Sequence, residues 1–285
     1  MTESKPEIYG FDVRTFDERA TRLRYLVGGD GPPLLLVHGF AGAASNFAVL
    51  APLLARRYRV LVPDLPGHGG SSPLPAAPNL AVYADRVAAV AAREGVESAA
   101  VLGHSMGGVV ALRLAARRPE LVRAVVLASA AGISTARRVA EIFLTTTSLL
   151  KPGRRIAAFS GRIARSPRLR ALTFDGLSTS DGGALSETAT LGFLSGSRLY
   201  TDIASAGRAL AREDVRFDLE RVSCPVLVLW GARDKQVAVD DGFEYARRLR
   251  APLRVIADCG HLLVGERPDA CADAVERFLD GLGLA

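Results

Sequence analysis

Two kinds of segment alternate along this chain, distinguished by how their hydrophobic and polar residues are spaced. Short apolar runs are typical of buried strands, and longer segments with apolar residues three or four positions apart are typical of helices. The pattern predicts strands at residues 32–38, 58–64, 98–103, 122–129, 224–231 and 251–258, and helices at 47–57, 80–94 and 106–118. Such alternation indicates a mostly parallel sheet flanked by helices, so we predict an α/β fold.

The alternation stops in the middle of the chain. Residues 132–216 read as helices with no clear buried strand between them, and strands return only after residue 216. A stretch of about 85 residues is too long for a plain connecting loop. We therefore predict an α/β core formed by residues 1–131 and 217–285, with a helical cap inserted at 132–216.

Composition narrows the setting of this fold. The chain has 285 residues, 49% of them hydrophobic, which is enough for one large α/β domain. The sequence shows no apolar run long enough to cross a membrane and no secretory leader pattern. Three cysteines without C-x-x-C spacing and four histidines without a paired motif indicate neither a disulfide framework nor a metal site. We expect a reduced, cytoplasmic protein that uses no metal.

One glycine-boxed serine stands between a predicted strand and a predicted helix. The sequence GHSMG covers residues 103–107, with Ser105 at its centre. A nucleophile raised on so tight a turn needs small residues two positions before and after it, and Gly103 and Gly107 meet that need. The helix that follows favours negative charge near the serine. Because this pentapeptide also occurs by chance, the hypothesis needs a base and an acid.

A histidine and an aspartate follow Ser105 in the order that a nucleophilic serine requires. His261 is the only histidine downstream of Ser105 and follows the last predicted strand. Asp234 follows the strand before that one, where the orienting acid is expected. The competing carboxylates lie at a predicted helix start or too near His261 in sequence: Asp240, Asp241 and Asp258. We predict a Ser105, His261 and Asp234 triad.

The other histidines and the cysteine nearest to His261 are expected to have structural rather than catalytic roles. His38 ends a predicted strand, where its ring would brace the loop that follows. His104 should point away from the nucleophile and serve as a packing residue, and His68 should stabilise a turn-rich loop. Cys259 is expected to be a buried, inert thiol.

Acyl transfer also needs donors aimed at the developing oxyanion. Backbone N–H groups suit this role because the fold holds them in place. One donor is expected from Met106, directly after the serine, and the other from the loop after residues 32–38, most simply from Phe40.

Five motifs in one order resemble the α/β-hydrolase superfamily, in its cap-bearing branch of serine hydrolases. They are HGF at 38–40, DLPGHGGS at 64–71, GHSMGG at 103–108, WGARD at 230–234 and CGHLL…ERP at 259–268. The resemblance implies a triad of Ser105, Asp234 and His261, an oxyanion hole formed by Phe40 and Met106, and no cofactor. It does not select a substrate, because the fold hosts many chemistries.

Within this branch the residues around the serine favour ester cleavage. Dehalogenases and epoxide hydrolases use an aspartate at the position of Ser105. C–C bond hydrolases of ring-cleavage products commonly carry an asparagine before the serine and a tryptophan after the histidine, where this chain has His104 and Leu262. We therefore predict a carboxylic ester hydrolase acting on a small-molecule ester with an apolar acyl part. The alternatives are a C–C bond hydrolase and a hydrolase-fold ligand-binding protein with little turnover.

The predicted cap combines aromatic residues with positive charge. Its apolar side chains would roof an acyl pocket or pack between cap and sheet: Phe143, Phe159, Phe174, Leu191 and Phe193. Residues 132–174 hold nine basic residues and one acid, so their net charge is 9 − 1 = +8, against +6 for the whole chain. These charges form a solvated face, or, with Ile156, Phe159 and Ile163 between them, a surface for anionic lipid or acidic substrates. No nucleic-acid recognition motif is present.

Overall fold

Eight strands form one sheet in the computed structural model, which describes residues 8–75, 79–133, 156–176, 178–196, 202–212 and 214–284. The strands are β1 (Asp12–Glu18), β2 (Thr21–Gly28), β3 (Pro33–Val37), β4 (Arg59–Pro63), β5 (Ala99–His104), β6 (Val122–Ala128), β7 (Val226–Gly231) and β8 (Leu253–Ile256). Their spatial order is β1-β2-β4-β3-β5-β6-β7-β8, and every pair from β4 to β8 is parallel. The predicted α/β fold with a mostly parallel sheet is confirmed.

Helices flank this sheet and also fill the interval between β6 and β7. Those of the sheet region are α1 (Leu50–Leu54), α2 (Leu80–Arg93), α3 (Met106–Arg117), α9 (Val239–Leu249), α10 (Leu263–Glu266) and α11 (Pro268–Gly281). Those between β6 and β7 are α4 (Ser160–Arg165), α5 (Pro167–Phe174), α6 (Glu187–Ser195), α7 (Ile203–Ala211) and α8 (Arg216–Leu219). The boundaries of the cap, at residues 132 and 216, stay a prediction.

The central strands are apolar on both faces because helices cover both. Alternate side chains point to opposite sides of a strand. Leu35 and Val101 accordingly join the core shared with α2, α3 and α9, whereas Leu34 and Leu102 join the core shared with α1 and α11. Continuous apolar runs, rather than alternating ones, are the expected signature of such strands. For this reason, the continuous apolar runs in the sequence correctly predicted the central strands.

Two elements differ from the sequence prediction. The antiparallel hairpin of β1 and β2 was not assigned, since β1 is an edge strand whose residues are mostly exposed and polar. The helix predicted at 47–57 is instead a short 3₁₀ turn at Ala44–Phe47 followed by the five-residue α1. Its apolar residues are buried nearly all round, so their spacing did not define one helical face.

The helices between β6 and β7 enclose a small apolar cluster of their own. Its buried members are Ile163, Phe174, Leu185, Ala189 and Leu194, and the partly buried Val49, Phe193 and Leu262 pack against it. Leu262 directly follows His261, so this cluster borders the predicted site. Phe143, expected in the same layer, lies outside the described residues. In the described ranges, no helix is both long and apolar enough to cross a bilayer.

Candidate active site

Ser105 occupies a strained turn between β5 and α3. Its backbone has φ 54° and ψ −120°, a conformation that a non-glycine residue rarely adopts. A Cβ on Gly103 would lie 2.2 Å from the Gly107 carbonyl oxygen, and a Cβ on Gly107 would lie 2.1 Å from the carbonyl oxygen of Val37. Both glycines are therefore required by close backbone approach, as the sequence pattern predicted.

Hydrogen bonds from three directions hold this turn in place. The Ser105 N–H donates to the carbonyl oxygen of Ala128 at 3.0 Å, at the end of β6. The Ser105 carbonyl oxygen accepts from the N–H of Gly108 at 2.9 Å and of Ala131 at 3.2 Å. A strained backbone persists only where its surroundings fix it, and strain of this kind is common at functional sites.

His261 and Asp234 are brought together directly. The Nδ1 of His261 donates to Oδ2 of Asp234 at 2.8 Å, and both side chains are almost fully buried. The other carboxylate oxygen accepts from the backbone N–H groups of Gln236 and Val237, each at 2.9 Å. A donor at Nδ1 leaves Nε2 of the neutral ring with its lone pair, which is the atom a general base uses.

Opposing effects act on the charge of Asp234. Burial alone would raise the pKa of Asp234, but the hydrogen bond and charge of His261, with the Val237 N–H, outweigh burial and hold that pKa below its usual value. The carboxylate is therefore ionised where the histidine needs it.

The loop that carries Asp234 is fixed at both ends. The indole N–H of buried Trp230 donates to the Val237 carbonyl oxygen at 3.1 Å, closing the loop, and the Arg233 N–H donates to the Cys259 carbonyl oxygen at 2.9 Å. The rival carboxylates lie elsewhere. Asp240 and Asp241 are in the first turn of α9, and Asp258 pairs with the Arg233 guanidinium at 2.6 Å on the surface.

His104 differs from its expected role as a simple packing residue. Its Nε2 donates to the carbonyl oxygen of His261 at 2.9 Å, and the two ring centroids are 5.0 Å apart. Burial lowers the pKa of His104 to about 3, so the ring stays neutral and keeps this donor. The contact also places His261 beside the residue that precedes Ser105. Nothing in the local sequence could indicate a bond to a backbone carbonyl 157 positions away.

The loop after β3 lies against the serine. A Cβ on Gly39 would be 3.0 Å from the Cβ of Ser105. His38 braces this loop as expected: its Nδ1 donates to the Gly39 carbonyl oxygen at 2.8 Å, and its Nε2 accepts from the Leu65 N–H at 3.0 Å. Burial lowers the pKa of His38 to about 4. His68, read as a loop residue, bonds the Pro66 carbonyl oxygen at 3.1 Å.

Asp64 is a structural residue of the site that the sequence reasoning missed. Its buried carboxylate accepts from the N–H of Ala44 at 2.7 Å and of Gly70 at 2.8 Å, and pairs with Arg24 at 2.6 Å. It thus ties the loop after β3 to the loop after β4. The sequence feature that could have indicated this role is the position of Asp64 as the first residue of the DLPGHGGS motif.

One predicted oxyanion donor directly follows Ser105 in sequence, and the other directly follows Gly39, which lies against Ser105. Met106 is the first residue of α3, so its N–H has no acceptor within the helix. Phe40 follows Gly39, and within the described residues no acceptor is recorded for its N–H. Their joint role as an oxyanion hole stays a prediction.

Glu266 connects the His261 loop to the segment between β6 and β7. Its carboxylate accepts from the Gly260 N–H at 3.0 Å and from the Ser180 N–H at 2.8 Å. The Leu262 N–H donates to the Ser178 carbonyl oxygen at 3.0 Å. Burial raises the pKa of Glu266 despite these bonds. Residues 178–180 therefore contact the chain on both sides of His261.

Cys259 lies two residues before His261 in the sequence. Cys259 is fully buried, and burial raises the pKa of its thiol, so it matches the expected inert cysteine. Within the described residues, no group of three or more histidine, cysteine, aspartate and glutamate side chains is placed to hold a metal ion.

Comparison with known proteins agrees with this architecture. A family model described as alpha/beta hydrolase fold matches residues 32–268. The chain belongs to the alpha/beta hydrolase family. Among relatives of this hydrolase is the dihydrolipoyllysine-residue acetyltransferase component of the acetoin cleaving system of Cupriavidus necator, 33% identical over 274 residues, covering 93% of this chain and 68% of the relative.

Two solved structures give further reference points for the hydrolase. A membrane phospholipase A, described as a bacterial virulence factor, is 30% identical with a TM-score of 0.74, covering 97% of this chain and 88% of that one. The esterase RhEst1 from Rhodococcus sp. ECU1013 is 25% identical with a TM-score of 0.73, covering 95% and 98%. Family membership supports hydrolase chemistry and leaves the substrate open.

Proposed function

We propose that this protein is a serine hydrolase that cleaves carboxylic esters through an acyl-enzyme. The observation that carries the proposal is Ser105 raised on a strained turn next to His104, whose ring bonds the backbone of His261 in the buried, hydrogen-bonded pair of His261 and Asp234. A serine alone is a weak nucleophile, and a paired base and acid is what activates it. Esterase RhEst1 and a phospholipase, both ester-cleaving by name, are among its structural neighbours.

The proposed reaction gives each of these groups a role. Nε2 of His261 takes the hydroxyl proton as Ser105 Oγ attacks the ester carbonyl, and Asp234 stabilises the imidazolium through its 2.8 Å hydrogen bond. The backbone N–H groups of Phe40 and Met106 bind the oxyanion. His261 then protonates the departing alcohol. Finally it activates water, which releases the acid and frees Ser105.

The cluster that borders the site suggests the shape of the substrate. Phe193 and Leu262 extend this apolar surface to the residue after His261. Phe174 is buried within it, whereas Phe159 lies outside this cluster and is 59% exposed. An ester with an apolar acyl part fits such surroundings.

Active-site labelling tests the nucleophile. A fluorophosphonate probe should label one site, mapped by mass spectrometry to the peptide containing Ser105, and Ser105→Ala should lose both label and esterase activity. His261→Ala should lose activity while retaining the fold. Labelling at another residue, with activity surviving in Ser105→Ala, would contradict the assignment.

A substrate panel tests the bond that is cleaved. We expect turnover of p-nitrophenyl esters of graded chain length and little turnover of a vinylogous C–C substrate. Faster cleavage of the C–C substrate would favour the alternative hydrolase. Tight ligand binding without turnover of ester, thioester, lactone or C–C substrates would indicate a ligand-binding protein.

A further inference from the structure

The helices α4 and α5 present different residues to the protein and to solvent. Ile163 and Phe174 face inward, in the cluster that reaches Leu262 beside His261. Ile163 was expected on the outer surface with Ile156 and Phe159, but it is only 8% exposed and this part of the expectation is wrong. The exposed residues of this segment therefore belong to the same two helices whose buried side chains share a cluster with the neighbour of His261.

Three large apolar side chains in this segment are exposed to solvent. Phe159 is 59% exposed and Leu172 is 83% exposed, and Leu169 is exposed as well. Single exposed apolar residues are ordinary on a soluble protein. Several within a stretch this short form a patch, and such patches mark contact with a partner or a membrane.

Unneutralised positive charge lies among these apolar residues. Arg162, Arg165 and Arg168 are exposed, and none of them forms an ion pair within the part of the chain that the structure describes. Arg170 differs, because its guanidinium donates to the carbonyl oxygens of Ala164 and Gly183. The sequence holds no acidic residue between Glu141 and Asp175 that could neutralise the arginines locally. We define the basic apolar face as Phe159, Arg162, Arg165, Arg168, Leu169 and Leu172.

We propose that the basic apolar face binds the surface of an anionic lipid bilayer. Only such a partner offers a sheet of negative headgroups directly above an apolar layer, which matches arginines interleaved with Phe159 and Leu172. The arginine stems lie along the apolar surface while their guanidinium groups remain at the headgroups. If the proposed esterase function holds, a protein bound to the bilayer through this face would act on esters carried in that bilayer, and these are the substrate class that we infer.

Vesicle co-sedimentation tests the binding directly. The wild-type protein should sediment with vesicles containing phosphatidylglycerol, weakly or not at all with pure phosphatidylcholine, and less at high salt. Arg162→Glu/Arg165→Glu/Arg168→Glu should reduce partitioning by about a hundredfold or more, since each lost basic residue removes roughly tenfold or somewhat less. Phe159→Ser/Leu172→Ser should reduce it by about tenfold or more.

A matched variant separates the face from the net charge. Arg22→Glu/Arg56→Glu/Arg123→Glu changes the charge equally, at exposed residues outside the inserted helices. This control should partition like the wild type. Equal loss in the control, equal sedimentation with both lipids, or full binding by the Phe159→Ser/Leu172→Ser variant would overturn the proposal.

Activity assays keep the two proposals distinguishable. Both face variants should hydrolyse a soluble short-chain p-nitrophenyl ester at the wild-type rate. On an ester embedded in phosphatidylglycerol vesicles, the arginine variant should be about a hundredfold slower and the Phe159→Ser/Leu172→Ser variant about tenfold slower, in line with their lost partitioning. Sedimentation specific for anionic vesicles, without hydrolysis of any ester, would support bilayer binding by the basic apolar face and refute the proposed esterase function. Hydrolysis of soluble esters without lipid-dependent sedimentation would support the esterase function and refute bilayer binding.

Discussion

Gly107→Ala tests how closely the nucleophile turn is packed. Gly107 is in the first turn of α3 with a φ that alanine adopts readily, so the substitution adds one methyl group without backbone strain. That methyl carbon would lie 2.1 Å from the carbonyl oxygen of Val37 and 2.6 Å from that of His38. Both atoms belong to backbone and cannot rotate away.

The expected losses of stability and of kcat in Gly107→Ala follow from these distances. A Cβ essentially never approaches another heavy atom within 3.0 Å, so α3 must move away from β3 by about 3.0 − 2.1 = 0.9 Å. Overpacking of this kind costs about 1–3 kcal/mol, and we expect the upper end because backbone must shift. The same movement displaces Ser105 and Met106, and a misplacement near 1 Å lowers kcat by about a hundredfold.

Gly281→Ala is the matched control. Gly281 is the last residue of α11, and a Cβ there would meet no heavy atom within 4 Å. Alanine should raise the free energy of unfolding by about 0.5–1 kcal/mol and leave kcat unchanged. Urea unfolding and p-nitrophenyl ester kinetics measure both variants. Wild-type stability and turnover in Gly107→Ala would refute the packing argument.

Three further changes test the surroundings of the base. Asp234→Asn should lower kcat by roughly 10⁴-fold with an unchanged circular dichroism spectrum, and wild-type turnover would remove Asp234 from the triad. Burial lowers the pKa of His104 to about 3 in the folded protein, whereas in the unfolded chain it is about 6.5. As the pH falls from about 6.5 towards 3, only the unfolded chain takes up this proton, so the folded protein loses stability. The wild type should therefore lose about 2 kcal/mol more than His104→Gln between pH 7 and 5, and parallel losses in denaturant titrations would exclude this linkage. Glu266→Ala, which leaves the Gly260 N–H without its carboxylate, should lower kcat more than it raises KM; a pure KM effect would show that Glu266 does not position His261.

The sequence identified those features that have a local pattern. Strand β3 reads as a continuous apolar run because both of its faces are buried, and Ser105 was found because Gly103 and Gly107 are needed within a few residues of it. The His261 and Asp234 pair was predictable from chain order, and the structure places the two side chains in direct contact. The family resemblance then identified the superfamily to which this fold belongs.

Other features had no local pattern to read. Asp64 and His104 bond backbone atoms of Ala44 and His261, which have no sequence signature, and the side-chain partner of Asp64, Arg24, lies 40 positions away. The outward position of Phe159 and inward position of Ile163 depend on how two short helices pack, which their mixed composition leaves open. Such contacts are decided by tertiary structure alone.

The contacts of residues 178–180 limit how hydrolases of this kind can be recombined. Ser180 is bound to Glu266 and Ser178 to Leu262, so this part of the segment between β6 and β7 is joined to the loop that carries His261. In a chimera whose segment between β6 and β7 comes from another hydrolase, the residues that replace 178–180 would face a loop around His261 with which they do not form the same hydrogen bonds. Engineers should therefore exchange residues 178–180 and 258–266 together, as one transplantable unit.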